Sequence, residues 1–422
     1  MISDNNNSST EHTNVLIIGG GIGGLYFAYK LKLLRPDLKY IILERGRLGG
    51  RVGNEKFYDA NILIGAGIGR CKKDEILLNL IHEFNLETRE FISKKKCIGI
   101  NEINMENIFS KIKLEFIKCG EPKTTFKEFA SKILGSNYDN FIDTSGYTDY
   151  ENQDCFEVLH HYSMSDNYNN NDMCMFTVPW SELINKLVDK ITNYENIKSE
   201  TAESITKIKC KSTFLSLDNY NNDLDKSFST DNLFKVSTDK LHTYTCNHIV
   251  IATDIDSIRK LLYFPIYNKI HGQSFIRTYA KFTIESTIEI SKIIAGTTCV
   301  KKPLQKIIPM SNGVFMIAYS DNKSADYLSQ FQENIPENCK KYSDLLKYCL
   351  NIHLEIIAIK SYYWKTGTHF YSPINGSRDK FLKKIRNPLD GISVIGEAVS
   401  RDHGWTKGAL ITANYALLDF IK

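Results

Sequence analysis

At 422 residues the chain is too long for one small core and suggests two domains, interleaved or in series. Its 42% hydrophobic and 24% charged residues describe an ordinary globular protein, and a net charge of +4, with lysines and acids mixed, predicts no nucleic-acid or membrane partner. The polar start, Met1 to Thr13, has no signal-peptide pattern, and no apolar stretch reaches the ~18–20 residues of a membrane span.

The ten cysteines are scattered, with no C-x-x-C pair and no metal-ligand spacing, so reduced thiols, a cytoplasmic location and no metal site are expected. His160 and His161 are adjacent; neighbours on a helix or strand point apart and rarely share one metal.

In chain order, Val15 to Ile18 is an apolar run ending in a glycine cluster, the pattern of a buried parallel strand. Leu25 to Leu34 has helical composition and stops at Arg35-Pro36-Asp37. Tyr40 to Leu43 is a second buried strand ending at Glu44, which completes a β-α-β unit. Further strands are expected at Ile205 to Ile208, Phe234 to Val236, His248 to Ile251 and Ile392 to Ile395. A final helix is expected from about Lys407. Two Asn/Asp-heavy stretches, Ser165 to Asp172 and Asp218 to Asn232, read as mobile loops.

Gly19, Gly21 and Gly24 form G-x-G-x-x-G, with Gly23 inside it, after a strand and before a helix. Gly19 permits the tight turn, Gly21 lets the backbone approach a diphosphate, and Gly24 lets helix and strand pack closely. The helix N-terminus then offers unpaired N–H groups to phosphate. Glu44, twenty residues beyond Gly24, is placed to accept the ribose hydroxyls and would repel a 2′-phosphate.

Arg47-Leu48-Gly49-Gly50-Arg51 resembles the R-x-G-G-R segment of the flavin-dependent amine oxidase superfamily, and the resemblance covers most of the chain. Two residues, not the usual three, separate Glu44 from Arg47, so either Arg45 or Arg47 can make the family's contact. Gly67 closes a turn that resembles the one beside the flavin ring. Val178 to Leu183 is similar to the lead into a helix, and Ile205 stands where relatives touch adenine through the backbone. Gly396-Glu397 and then Gly404-Trp405-Thr406, with Ala409 beyond, resemble the last motif. There an aromatic residue faces the flavin and a helix N-terminus meets its pyrimidine end, where reduced flavin is negative.

The resemblance implies an α/β fold: a Rossmann-type FAD-binding domain (14–72, 174–262, 385–422) interleaved with an α+β substrate domain (73–173, 263–384), after a disordered tail at 1–13. FAD would be non-covalent, because Phe370 stands where relatives with covalent flavin have cysteine. Trp364, Tyr371 and Trp405 would wall the substrate site. The family's lysine near flavin N5 aligns with Arg277, with Lys281 four residues on and on the same strand face. Arginine stays protonated, which implies reduced oxygen reactivity. Arg70 lies near the place of a substrate-carboxylate arginine, against the alternative of a structural ion pair.

The implied reaction oxidises an amine or amino acid by hydride transfer to flavin, giving an imine, then a carbonyl product and hydrogen peroxide from dioxygen. A flavin desaturase or tetrapyrrole oxidase of the same fold, and a non-catalytic protein-binding member, are the alternatives. Substrate identity and oligomeric state are not encoded in any motif.

Overall fold

The computed structural model describes residues 10–421 except 94, 162–172, 192–196, 199–204, 211–233 and 240–241. Strand β1, Thr10–Ile18, is followed by helix α1, Ile22–Leu34, and strand β2, Tyr40–Leu43, parallel to β1. Helix α2, Trp180–Ile191, comes later, then strand β3, Thr243–Ile251, parallel to β1 on its other side. Ile392–Val394 continues the sheet beside β3, and Ile197–Lys198 lies beside β2. One seven-stranded sheet thus gathers strands from the start, middle and end of the chain.

Alternate residues of β1 face opposite sides, and both sides are covered. Val15 and Ile17 join a core with α1 and α2, while Leu16 and Ile18 join one with Ile249, Ile251 and Ile392. That double burial explains an unbroken apolar run rather than an alternating one. α1 is buried almost all round, consistent with its lack of a polar face. α2 instead buries Trp180, Leu183, Ile184, Leu187 and Ile191, one stripe at helical spacing.

A second sheet is built on two long strands, β4 (Ile270–Phe282) and, four strands on in sequence, Ile356–Tyr371. Between them come Thr297–Cys299, then β5 (Lys306–Pro309) and β6 (Val314–Asp321); the long Ile356–Tyr371 strand is β7. Their spatial order is β7, β4, β6, β5, with Thr297–Cys299 and Lys95–Cys97 at the edge. One face of β4 sends Ile276, Ala280 and Phe282 into a core with Tyr342 and Leu346 of the helix Pro336–Leu350. The opposite face carries Tyr279, packed with Ala60 and Ile62. Four helices between Met105 and His160 form a separate phenylalanine-rich core.

Several expectations change. β1 begins at Thr10, with Thr10 to Thr13 paired to Thr243 to Cys246, so part of the stretch read as a tail is strand; pairing with β3 overrides its polar composition. The thiols are not all reduced: Cys71 and Cys174, 103 residues apart, form a disulfide. Glu90 adjoins them, a cluster no linear spacing announces, and the bonded sulfurs leave no thiolate there for a metal. Both stretches read as loops, 165–172 and 218–232, lie wholly outside the described residues. Among the described residues no helix is long and apolar enough to cross a membrane.

Candidate functional site

The glycine cluster is shaped by what a side chain would meet. Gly19 has φ +107°, and a Cβ there would lie 2.5 Å from the Ala252 carbonyl oxygen. A Cβ on Gly24 would lie 2.1 Å from the Gly19 oxygen, so helix and turn are in direct backbone contact. Gly21 differs: a Cβ on it would meet nothing within 4 Å. It is the N-cap of α1 and makes no side-chain cap hydrogen bond. Open space therefore faces the uncapped N–H groups of α1, a cradle suited to a diphosphate.

At the end of β2, the Glu44 carboxylate accepts N–H bonds from Gly20 (2.7 Å) and Gly46 (2.6 Å). An ionised carboxylate has about four acceptor positions, so capacity remains for ribose hydroxyls. The Gly49 N–H donates to the Gly20 carbonyl at 2.8 Å, which presses the double-glycine turn against the phosphate loop. A Cβ on Gly50 would stand 3.4 Å from the Gly21 Cα. Arg47 donates to the Gly50 and Val52 carbonyls, both at 2.7 Å, so it shapes the turn. Arg45 is exposed. The guanidinium of Arg51 reaches the Gly367 carbonyl and lies 3.4 Å from Glu397. Ile205 opens the strand Ile205–Cys210, antiparallel to Phe234–Thr238.

The last motif is organised by Glu397, 5% exposed. One carboxylate oxygen accepts the N–H groups of His369 (2.9 Å) and Gly404 (2.8 Å). The other lies 2.6 Å from Nδ1 of His369. Because Ile255 donates its N–H to Nε2 of His369, the ring proton belongs on Nδ1 and is given to Glu397. Burial opposes the charge, but His369 and Arg51 hold the Glu397 carboxyl well below its ordinary range. Glu397 therefore ties β7 and Arg51 to the turn at Gly404 (φ +76°). Its oxygens are already engaged within the protein.

That turn delivers helix α3, Thr406–Leu417, whose N-cap Trp405 makes no side-chain cap bond. Trp405 Nε1 and Thr406 Oγ1 are buried and have no hydrogen-bond partner among the described residues. Buried polar atoms are rarely orphaned, and two at one uncapped helix start mark a place for an outside acceptor. α3 runs beside α1: a Cβ on Gly23 would touch Ala409 Cβ at 3.4 Å. Two uncapped helix N-termini are thus joined side by side. The Trp405 ring is edge-on to Trp180, 6.2 Å away, and Trp180 Nε1 donates to the Gly67 carbonyl at 2.8 Å. Gly396 (φ +122°) accepts and donates to Thr412 of α3.

The remaining candidates separate. Trp364 donates from Nε1 to the Ile64 carbonyl at 2.8 Å, beside the Gly67 turn. Arg277, on β4, reaches the same turn: a Cβ on Gly67 would lie 3.1 Å from its Nη2. Lys281 does not; its ammonium donates to the Asn312 carbonyl at 2.6 Å. At ~3.3 Å per residue, four residues of strand put the two side chains over 10 Å apart although they share a face. Tyr371 is fully buried, donates its hydroxyl to the Ser400 carbonyl and packs edge-on against Phe381 and His403. It is a core side chain here, not a wall of an open site. Arg70 is held in two hydrogen bonds by fully buried Asp74, with its guanidinium 5.8 Å from the Trp405 ring. The ion-pair alternative describes it.

Sequence reasoning missed Trp180 and His369 as site organisers. Trp180 stood inside a quoted segment, Val178 to Leu183, and a tryptophan beside a proline was the available signal. His369 left none, since its partner lies 28 residues away.

A mixed sheet drawn from three parts of the chain, and two uncapped helix starts meeting through Gly23 and Ala409, form one α/β fold that is shared with solved structures of putrescine oxidase. Comparisons agree on that fold. A family model described as an NAD(P)-binding Rossmann-like domain matches residues 17–70. Putrescine oxidase structures are similar over 98% of this chain at 12% identity. One variant has a TM-score of 0.73 with 99% of its chain covered; the wild type bound to putrescine has 0.71 with 100% covered. Among sequences, an uncharacterized protein of Acanthamoeba polyphaga mimivirus is 22% identical over 98% of this chain and 95% of its own length.

Proposed function

We propose that the chain is an FAD-dependent oxidoreductase that oxidises a small amine-containing substrate. The observation that carries this is the pair of joined helix starts, one facing open space at Gly21 and one ending in the orphaned Trp405 and Thr406 side chains. The N–H groups of α1 would hold the diphosphate, Glu44 the adenosine ribose, and the Thr406 N–H the electron-rich end of the flavin. Bound FAD would supply the hydride acceptor, with dioxygen regenerating it and releasing hydrogen peroxide. The protein's own contribution is orientation and exclusion of water. Trp364 and Trp405 offer apolar faces, and Trp180 holds the Gly67 turn through its indole N–H. An aromatic lining also attracts a cationic amine on approach.

The cofactor is non-covalent in this reading, with Phe370 in place of a linking cysteine and stacked on His271. Acid precipitation should therefore release the colour. The putrescine seen in one similar structure makes a small amine a reasonable first candidate. Anaerobic mixing of FAD-loaded protein with a panel of amines and amino acids should bleach the flavin band with at least one of them. A loaded protein that none bleaches contradicts the oxidase reading.

A further inference from the structure

Two thiols face each other at the edge of the second sheet. Thr297–Cys299 runs parallel to Lys95–Cys97, with Cys299 and Cys97 as direct partners. Paired strands lie about 4.8 Å apart, inside the roughly 4.4–6.8 Å between Cα atoms that a disulfide spans. The two sulfurs are hydrogen-bonded to each other. Cys299 is fully buried, while Cys97 is partly exposed. On its other side Cys299 pairs with Lys306 of β5, so Cys97, Cys299 and Lys306 form one row across three strands.

Two cations attend the pair. A Cβ on Gly146 would lie 2.7 Å from both Cys299 Sγ and Lys306 Cε, so thiol and lysine share one small space. Lys95, two residues before Cys97, lies on the same strand face. Its ammonium donates to the Thr144 (2.6 Å) and Ser145 (3.1 Å) carbonyls and also reaches Cys299. The hydrogen bond from Cys97 does most to hold the Cys299 thiol below its ordinary range; Lys95 and Lys306 add to it, and burial opposes it. One proton is thus shared by two sulfurs, and a thiolate is kept beside a partly exposed thiol. Cys155 and Cys246 lack such neighbours, and burial pushes their thiols up. A cationic, partly exposed setting is that of a reactive cysteine, and an apolar buried one that of an inert cysteine.

We propose that Cys97 and Cys299 are a redox-active dithiol, oxidised by hydrogen peroxide to a reversible disulfide. The Cys97 proton passes to Cys299, and the Cys97 sulfur attacks one peroxide oxygen. The O–O bond breaks, leaving Cys97 as a sulfenic acid, and the departing hydroxide takes a proton from solvent. Cys299 then attacks the Cys97 sulfur: the S–S bond forms, the S–O bond breaks, and the proton held by Cys299 leaves with the hydroxide as water. Two electrons pass from the sulfurs to peroxide, which ends as two waters. The disulfide removes the anion beside Lys306. That ammonium lies against the Tyr147 ring and 5.6 Å from the Tyr319 ring, with Arg277 4.3 Å from the latter, so the pair adjoins the residues at the Gly67 turn.

The test treats the purified full chain with a small excess of hydrogen peroxide, quenches it by alkylation and maps the peptides without reduction. Added peroxide is oxidant enough, so the outcome does not depend on whether the chain oxidises amines. The Cys97 and Cys299 peptides should appear joined, lighter by two hydrogens and separable by dithiothreitol, before the exposed Cys119 is oxidised. In Cys299→Ser no partner completes the bond, and dimedone should label Cys97. Lys306→Met should slow disulfide formation roughly threefold, about tenfold less thiolate being offset by a more nucleophilic sulfur. Thermal unfolding confirms that each variant is folded, and Lys95→Gln replaces the Lys306 variant if that one is not. Cys97 and Cys299 both alkylated after peroxide, Cys97 joined to a different cysteine, or Cys119 oxidised first overturns the proposal. So does an unlabelled Cys97 in folded Cys299→Ser, or an unchanged rate in the folded lysine variant.

Discussion

Gly21 and Gly24 belong to one motif, yet the structure separates their roles, and alanine at each position gives opposite outcomes. In Gly24→Ala the new Cβ would fall 2.1 Å from the Gly19 oxygen and 3.3 Å from Ala252 Cβ. That overlap involves backbone, which cannot step aside, so a stability loss of about 3 kcal/mol or more is expected. In Gly21→Ala the Cβ meets nothing within 4 Å, and the backbone φ of −70° is ordinary for alanine. A weaker helix cap and a less flexible unfolded chain act in opposite directions, leaving a change below about 1 kcal/mol. The same methyl would occupy the space proposed for the diphosphate. Displacing one charge-assisted hydrogen bond and overpacking the cradle together cost about 3 kcal/mol, or roughly 150-fold in FAD affinity. Thermal unfolding of cofactor-free protein and flavin fluorescence quenching measure the two effects separately. A Gly21→Ala protein that binds FAD within about threefold of wild type refutes the placement, as does one that unfolds as easily as Gly24→Ala.

Three further outcomes are expected. Trp180→Phe leaves the Gly67 carbonyl without its donor and shrinks a fully buried side chain. It should cost about 2–4 kcal/mol in denaturant unfolding, and a loss below ~0.5 kcal/mol would show that the Gly67 turn stands without it. Cys174→Ser opens a loop of 103 residues and should lower stability by about 2–5 kcal/mol; non-reducing peptide mapping that finds both thiols alkylated would contradict the pairing. Burial pushes the Lys306 ammonium down to about 7. The unfolded chain keeps that proton to about pH 10.5, so between the two values it binds more protons and stability rises with pH. The slope from this group is up to about 1.4 kcal/mol per pH unit. Lys306→Met should remove that part of the rise above pH 7 and be the more stable protein at neutral pH. Parallel pH profiles for the two proteins would show that Lys306 is not buried as described.

The backbone around the proposed cofactor cradle was legible because its signals are local. An apolar run, three glycines at fixed spacing and an acid at the next strand end each act over a few residues, and the backbone they require is the backbone observed. Gly404-Trp405-Thr406 is equally local, since a positive φ followed by a helix start needs only neighbours. The substrate half depends on distant pairs. Strand alternation places Arg277 and Lys281 on one face, but which one meets the Gly67 turn is decided by how far along β4 the other domain crosses it. Tyr371 follows Phe370 on β7, and nothing in the sequence says that its hydroxyl will be claimed by Ser400. The partner of Arg70 was within reach of inference, because Asp74 stands four residues on, at the start of the helix Glu75–Glu83. The pairs Cys71 with Cys174 and His369 with Glu397 exist only in three dimensions.

The account stands on two helix starts, far apart in sequence, sharing one flavin nucleotide. Purified protein reconstituted with FAD and freed of excess should carry one flavin per chain, with the absorption of the bound, oxidised cofactor. A colourless protein that takes up no FAD at saturating concentration would contradict it directly.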